Sequence, residues 1–441
     1  MKPLFVISCP IDTYSGYGAR ARDLVKAIIN QDKYDVKILA QRWGNTPWSF
    51  IKDHEQQWGF LNSHILSDGN IGRQPDVWMQ ITVPNEFQPI GKYNIGVTAG
   101  IETTLCDASW IEGINRTNCT LVSSNHAKKV FEDTVYEQRD KNTNQVMGLV
   151  KISKPIEVLF EGADLSTYFP INETEYTPLI TKLEEIEEDF CYLTVGHWMQ
   201  GDVAEDRKNI GLTVKAFYET FKNKQHKPAL ILKTSSAGAS YVDRENVMNK
   251  IHQIKLSVNS HDLPKVYLLH GEFSDSEINN LYNHPKVKAL VSLTKGEGFG
   301  RPLLEFSLTK KPIITTNWSG HLDFLDAEHT TLLPGQLTPV HPTAAVSGMI
   351  LQESSWFSVD TAQTGYFLVD VFNNYEKYLS KAKRQYHRSK TKFNFEAMQT
   401  DLGYLLDRLI PEFPKPMQLK LPQLKKIELP KLKKVEADAN G

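Results

Sequence analysis

The sequence predicts an α/β protein of two doubly wound domains facing a central cleft, followed by an extended basic tail. Three observations carry this prediction. Short apolar runs alternate with helical spacings along most of the chain, the pattern of parallel sheets covered on both faces. The alternation comes as two series, separated by an acidic stretch at residues 171–188. The 441 residues suit two to three domains of ordinary size. Ligands of such folds bind at the carboxyl ends of the strands, in the crevice between domains.

The first series, residues 1–170, opens with the apolar run Phe5-Val6-Ile7, read as a strand. A polar loop from Asp12 to Gly18 follows, and residues 19–29 then place Leu24, Val25, Ile28 and Ile29 at helical spacing. Residues 36–39 return as a strand. Gly16 and Gly18 fall in the first loop of this β-α-β unit, where glycine lets the backbone approach a ligand or simply makes a tight turn. Further strands are predicted at 77–81, 94–98, 120–123 and 155–159, and a helix at 126–132. Ser124 before that helix reads as its N-cap. The acidic stretch reads as a linker plus a surface helix.

The second series, residues 171–385, predicts strands at 190–195, 229–233, 266–269, 289–293 and 312–315. Helices are predicted between them at 211–221, 243–256, 275–282 and 302–308. Residues 386–410 read as helices crossing back to the first domain. Residues 411–441 form the tail. From residue 414 on, it holds seven lysines against Glu428, Glu436 and Asp438, and prolines at 414, 416, 422 and 430. It repeats itself over eight residues, Leu-Pro-Gln-Leu-Lys-Lys-Ile-Glu at 421–428 and Leu-Pro-Lys-Leu-Lys-Lys-Val-Glu at 429–436. Proline at this spacing prevents a continuous helix.

Composition excludes several classes. Fifty basic and 52 acidic residues give a net charge of −2, which argues against a surface built to bind a polyanion. No apolar run reaches the roughly 18–20 residues that span a bilayer, and the N-terminal apolar core is too short for a signal peptide. Cys9, Cys106, Cys119 and Cys191 show no Cys-x-x-Cys spacing, so buried reduced thiols and a cytoplasmic location are expected. No Asp-x-Asp closes an apolar strand and no His/Cys cluster has metal spacing, so no metal centre is expected.

The stretch Lys295-Gly296-Glu297-Gly298-Phe299-Gly300-Arg301-Pro302-Leu303-Leu304-Glu305 follows a predicted strand and opens a helix. Gly298 and Gly300 allow close backbone approach, and Pro302 suits a first helical turn whose N–H groups are free. Two carboxylates eight residues apart can each accept hydroxyls of a sugar. Against this stands a simple reading, in which Glu305 favours the helix start and Glu297 is solvated. Arg207 and Lys208 offer a planar fork and a point charge, a pairing suited to a diphosphate, although they also read as solvated charges at a helix start.

The Glu297 to Glu305 spacing resembles the E-x7-E signature of retaining glycosyltransferases of the GT-B fold, and most closely glycosyltransferase family 4, the glycosyl transferases group 1. Further segments match in order: 156–164, Leu193-Thr194-Val195-Gly196 with Arg207-Lys208-Asn209, Gly271 to Asp275, and Pro312 to Thr315 with Ser319-Gly320-His321. The resemblance covers about residues 1–405. It implies two Rossmann-like domains and a nucleotide-diphosphate sugar donor, a UDP- or GDP-sugar, with no cofactor or metal required. It implies that Glu305 holds the ribose, that Glu297 with Gly298, Phe299 and Gly300 holds the donor sugar, and that Phe273 flanks the base. Arg207 and Lys208 then stabilise the leaving diphosphate. Gly16 and Gly18 face the donor across the cleft, and Glu102 and His126 are acceptor-side candidates. The acceptor is a glycan, a lipid-linked glycan or another hydroxyl-bearing molecule such as a hydroxylated nucleic-acid base. Three departures stand out: His197 where the family often has Arg, a longer loop at 198–206, and Glu161 where Asn is usual. Two rivals keep the fold, a nucleotide-sugar epimerase or phosphorylase and a non-catalytic scaffold. The tail has three candidate partners (anionic lipid, nucleic acid or a partner protein) beside a plain solubilising role.

Overall fold

The computed structural model describes residues 2–171, 177–236, 238, 240–413 and 431. The chain up to Pro411 forms one unit and the rest a second, of which only 412, 413 and 431 are described. The repeat tail therefore lies outside the described residues, apart from Lys431.

In the first half the elements run β1 (Leu4–Cys9), α1 (Gly16–Asn30), β2 (Asp35–Ala40), α2 (Phe50–Asp53), α3 (Glu55–Trp58), β3 (Val77–Ile81), β4 (Tyr93–Thr98), α4 (Ala108–Asn115), β5 (Cys119–Val122), α5 (Asn125–Asp133), β6 (Tyr136–Arg139), β7 (Val146–Val150) and β8 (Ile156–Val158). Six of the strands pair in parallel in the order β2-β1-β3-β4-β5-β8. β6 and β7 form a separate antiparallel hairpin. Its first strand is mostly exposed and polar, so it carries none of the apolar signal that reveals the others.

The second half runs α6 (Pro178–Glu184), β9 (Cys191–Val195), α7 (Ile210–Phe221), β10 (Ala229–Lys233), α8 (Tyr241–Ser257), β11 (Val266–Leu269), α9 (Asp275–Asn283), β12 (Val287–Ser292), α10 (Arg301–Ser307), β13 (Ile313–Thr316), β14 (Thr331–Leu333), β15 (Gly335–Pro339), β16 (Ser355–Val359), α11 (Thr361–Asn373), α12 (Tyr375–Lys392) and α13 (Phe395–Leu409). A second parallel sheet has the order β11-β10-β9-β12-β13-β14. Successive strand residues serve opposite faces. Leu193, Ile231 and Leu290 pack with α9 and α10, and Tyr192, Leu230 and Val291 pack with α7 and α8. The order reverses beside β1 and β9, so the loops after those two strands open into the crevice where such folds bind ligands.

Two expectations need correction. Helix α1 begins at Gly16 rather than 19, because the Ser15 hydroxyl accepts the Gly18 N–H at 2.9 Å and caps the helix. Gly16 and Gly18 thus lie in its first turn, not in a preceding loop. The helix in the acidic stretch is the expected surface helix: α6 exposes Thr181, Lys182 and Glu184 and buries Leu179, Ile180 and Leu183 in the second core. Finally, α12 runs unbroken through residue 385, so the chain does not divide there. α12 packs against α10 of the second domain, and α13 against α1 of the first. At the crossing the Ala163 N–H bonds Phe393 O at 3.0 Å and the Phe395 N–H bonds Ala163 O at 2.9 Å.

No helix of the described residues is long and apolar enough to cross a membrane. All four cysteines are free and buried.

Candidate active site

The two sheets point their carboxyl ends into a cleft of about 460 Å³, with five basic and four acidic side chains in its walls. The second domain supplies the charged floor. Arg207 and Lys208 sit in the turn before α7. That turn is held by the Asp206 carboxylate, which accepts the Ile210 N–H at 3.0 Å, and by Asn209 in the left-handed region at φ 56°. The Arg207 carbonyl accepts the Lys295 N–H at 2.8 Å, which ties the turn to the loop after β12.

Within this floor Lys208 Nζ lies 2.6 and 2.7 Å from the two Glu297 carboxylate oxygens. Arg207 Nη1 is 3.7 Å from Glu297 and 3.4 Å from Glu102 of the first domain. Burial pushes the Glu297 carboxyl up, but Lys208 and Arg207 more than offset it and hold the group below its ordinary value. Glu297 is therefore a buried, paired carboxylate. Its backbone is fixed from below: the Glu297 N–H donates to Ser319 Oγ at 2.9 Å, and the Gly320 N–H donates to Glu297 O at 2.9 Å. Ser319 holds φ 82°, a conformation rare for a residue with a side chain and one that stores strain at the site.

Glu305, in α10, is also buried and lines the cleft. Burial pushes its carboxyl up to about 8, even though Arg301 Nε lies 3.1 Å away. Arg301 reaches across the cleft as well, to Asp23 at 2.7 Å and Glu161 at 3.6 Å. The unusual Glu161 thus belongs to a buried ionic cluster that joins both domains.

The glycines have different tasks. A Cβ at Gly298 would stand 2.4 Å from Ala99 O, and one at Gly296 2.0 Å from Glu102 O. At both positions the second domain touches first-domain backbone, as it also does where the Thr104 N–H donates to Ser355 O at 2.9 Å. Gly298→Ala is expected to hold the domains apart, since no flexible side chain is there to yield. Small-angle scattering should show a larger radius of gyration, and an unchanged profile would mean that the loop gives way instead. A Cβ at Gly18 would meet Thr13 O at 2.4 Å, so Gly18 is fixed by packing and does not line the cleft. A Cβ at Gly16 would meet nothing within 4 Å, and Gly16 faces the cleft.

The other candidates are placed as follows. Glu102, Phe299 and Gly300 line the cleft. Phe299 turns its ring inward against Phe324, with centroids 5.0 Å apart. Phe273 stands outside the lining, under Lys233 at 5.1 Å, and Lys233 itself lines the cleft. His126 does not face the cleft. Its ring packs edge-on to Trp318 at 4.7 Å, and burial lowers it to about 4, so it is neutral. The sequence reading passed over Tyr17, Arg20 and Trp43, which form the first-domain wall, and over Lys233 and Ser235. Ser235 Oγ lies 3.1 Å from His197 Nδ1, and His197 faces the cleft despite standing where Arg is usual.

Comparison with solved structures gives this arrangement a frame. The chain is similar to a glycosyltransferase from Rickettsia africae ESF-5, with TM-score 0.61 and 14% identity over 93% of this chain and 99% of that one. It is also similar to sucrose-phosphate synthase from Thermosynechococcus elongatus, with TM-score 0.59 and 12% identity over 93% and 99%. The fold is GT-B. Anabaena HepE, solved in complex with UDP and glucose, shares the same GT-B frame at TM-score 0.58 and 12% identity, over 92% of this chain and all of that one. No protein family model matches the sequence, and no curated protein does.

Proposed function

We propose that the protein is a retaining glycosyltransferase that moves a sugar from a nucleotide-diphosphate donor, a UDP- or GDP-sugar, to a hydroxyl acceptor without a metal. The buried Arg207–Lys208–Glu297 group carries this reading. Two cations and a carboxylate are preorganised where the strand ends of a GT-B cleft converge. UDP is the first candidate nucleotide, since the similar HepE is solved with UDP.

In this reading Arg207 and Lys208 share their N–H groups between Glu297 and the donor diphosphate. Negative charge grows on the diphosphate as the bond from the anomeric carbon to oxygen breaks. Fixed cations in a water-poor site stabilise that charge without reorganising. The acceptor oxygen bonds to the anomeric carbon on the face the diphosphate leaves, and its proton passes to the departing phosphate oxygen. No protein base is needed, so the carboxylate pair of a glycosidase is not required. Glu297 orients the donor sugar, Glu305 accepts the ribose hydroxyls, and the bare Gly16 leaves room for the phosphates.

A thermal-shift titration with UDP and GDP in the absence of metal tests the donor site. At 100 times its dissociation constant the right diphosphate adds about 2.7 kcal/mol of stability. No shift with either, in folded protein, would sink the proposal. The pH dependence tests Glu305. Ribose hydroxyls donate to its carboxylate, so binding must release the proton held up to about pH 8. Affinity for UDP is expected to rise roughly tenfold per pH unit between 6 and 8 and to level off above, and Glu305→Gln to flatten the profile. In the free protein the sign follows from the same raised value. The folded state binds this proton more tightly than the unfolded one, so its stabilising contribution is present at low pH and is lost as pH rises through about 8.

A further inference from the structure

We infer that the acceptor is an uncharged pyranose whose apolar face stacks on Trp43. The inference rests on the glycosyl-transfer reading and concerns the wall of the cleft opposite Glu297.

That wall is built around two aromatic rings. The Tyr17 hydroxyl lies 2.9 Å from Thr98 Oγ1 and accepts the Ala99 N–H at 3.1 Å, which fixes the ring at the start of α1. Trp43 lies flat on it, with centroids 4.0 Å apart and planes 22° from parallel. The loop bearing Trp43 is itself pinned. The Thr46 N–H donates to Trp43 O at 3.1 Å, and the Tyr14 N–H to Pro47 O at 3.1 Å. The wall thus presents a rigid apolar plate, half-buried, at little ordering cost to a ligand. The Trp43 indole N–H has no hydrogen-bond partner among the described residues, so the plate also offers a free donor. One face of a pyranose is made of C–H groups, and its edge carries hydroxyls. It matches a plate with a polar rim.

The charges on this wall decide against a phosphorylated acceptor. Among the described lining residues its one cation is Arg20. The Arg20 guanidinium is committed to the backbone, donating to Leu159 O at 2.6 Å and Phe160 O at 2.9 Å. The remaining charged groups there are the carboxylates Glu102 and Glu161, which already stand 3.4 Å from Arg207 and 3.6 Å from Arg301, so those cations are committed as well. A phosphate on the acceptor would face two carboxylates and no uncommitted cation of its own domain. Sugar hydroxyls would find acceptors in the same carboxylates. Like charge on one ligand and not the other is a means of discrimination as effective as a new contact.

The experiment uses the full chain and the nucleotide sugar whose diphosphate stabilises it. Nucleotide release is followed with methyl glucopyranoside and methyl mannopyranoside as neutral acceptors, and with glucose 6-phosphate and mannose 6-phosphate as charged ones. The neutral glycosides should stimulate release at least about tenfold more than the phosphates, the discrimination one matched polar or apolar contact supplies. Trp43→Ala should raise the acceptor KM more than it lowers kcat, and Trp43→Phe, which keeps a flat ring, should recover most of the loss. If Trp43→Ala does not fold, Trp43→Leu, similar in bulk to Phe but not flat, replaces it in the comparison. Preference for the phosphates overturns the inference. So does failure of the neutral sugars to stimulate release in protein that the diphosphate stabilises, or an acceptor KM that none of the variants moves. Failure of every diphosphate to stabilise the protein counts against the glycosyl-transfer reading instead.

Discussion

Replacing Lys208 with alanine is expected to slow sugar transfer by about 10²–10³-fold, the usual cost of removing one preorganised donor from a developing anion. The fall should appear in kcat at saturating donor, because the proposed mechanism asks most of the ammonium when the diphosphate carries full charge. The same change should lower stability by about 3–5 kcal/mol, since it strands a buried carboxylate. That carboxylate is Glu297, now 2.6 Å from the lost ammonium. The two losses can be separated. In the double variant Lys208→Ala/Glu297→Gln the stranded charge is gone, so unfolding should return toward that of the parent while transfer stays slow. Chemical denaturation and steady-state rates on the same three proteins decide the matter. A kcat untouched in Lys208→Ala would remove the cation from the mechanism.

Arg301→Ala should have the larger effect on the fold. The guanidinium is surrounded by Asp23 at 2.7 Å, Glu305 at 3.1 Å and Glu161 at 3.6 Å, all buried. Removing it leaves the Asp23 and Glu161 carboxylates facing each other beside the Glu305 carboxyl, which burial already keeps protonated up to about pH 8, and a loss of about 3–5 kcal/mol is expected from the broken network. Arg301→Lys should recover little, because one point charge cannot reach partners on several sides as a planar fork does. The deficit should shrink on acidification. Uncompensated carboxylates take up protons more readily than paired ones, so the variant gains on the parent as pH falls from 8 toward 5. Urea titrations at several pH values test this, and a deficit that does not change with pH would mean that the cluster is not what is lost.

The strand framework was readable because buried parallel strands are short unbroken apolar runs. Five of the six strands of the second sheet, Cys191–Val195 through Ile313–Thr316, lie within a few residues of their predicted positions. Thr331–Leu333 and Gly335–Pro339 escaped because one is three residues long and the other is mostly exposed. The floor of the cleft was legible for a different reason. Glu297, Gly298, Gly300 and Glu305 stand close together in sequence, and glycine and proline announce the loop. The first-domain wall was not legible. Tyr17 and Trp43 read as ordinary aromatics, and their stacking depends on how two loops fold together. The ionic cluster joins Asp23 to Arg301 across 278 residues of chain, a separation that no local pattern reveals. Glu161 looked like a mismatch to the usual Asn, yet in the structure it is part of that cluster, bonded also by the Ser123 hydroxyl at 3.1 Å.

The paired backbone at Ala163 and Phe393–Phe395 has a mechanical consequence. The polypeptide passes between the halves of the molecule twice, and at this point the two passages are hydrogen-bonded to each other, with Gly162 so close to Asn394 O that a Cβ there would stand 2.4 Å from it. Two passages bonded together behave as a pin rather than a tether. They resist twisting and sliding and leave rotation about one axis as the soft motion. The close approach of Gly296 and Gly298 to the Glu102 and Ala99 backbone acts as the latch. Widening the cleft therefore requires the latch to part while the pin stays whole, so that each opening returns Glu297 to the same register with Ala99 and Glu102.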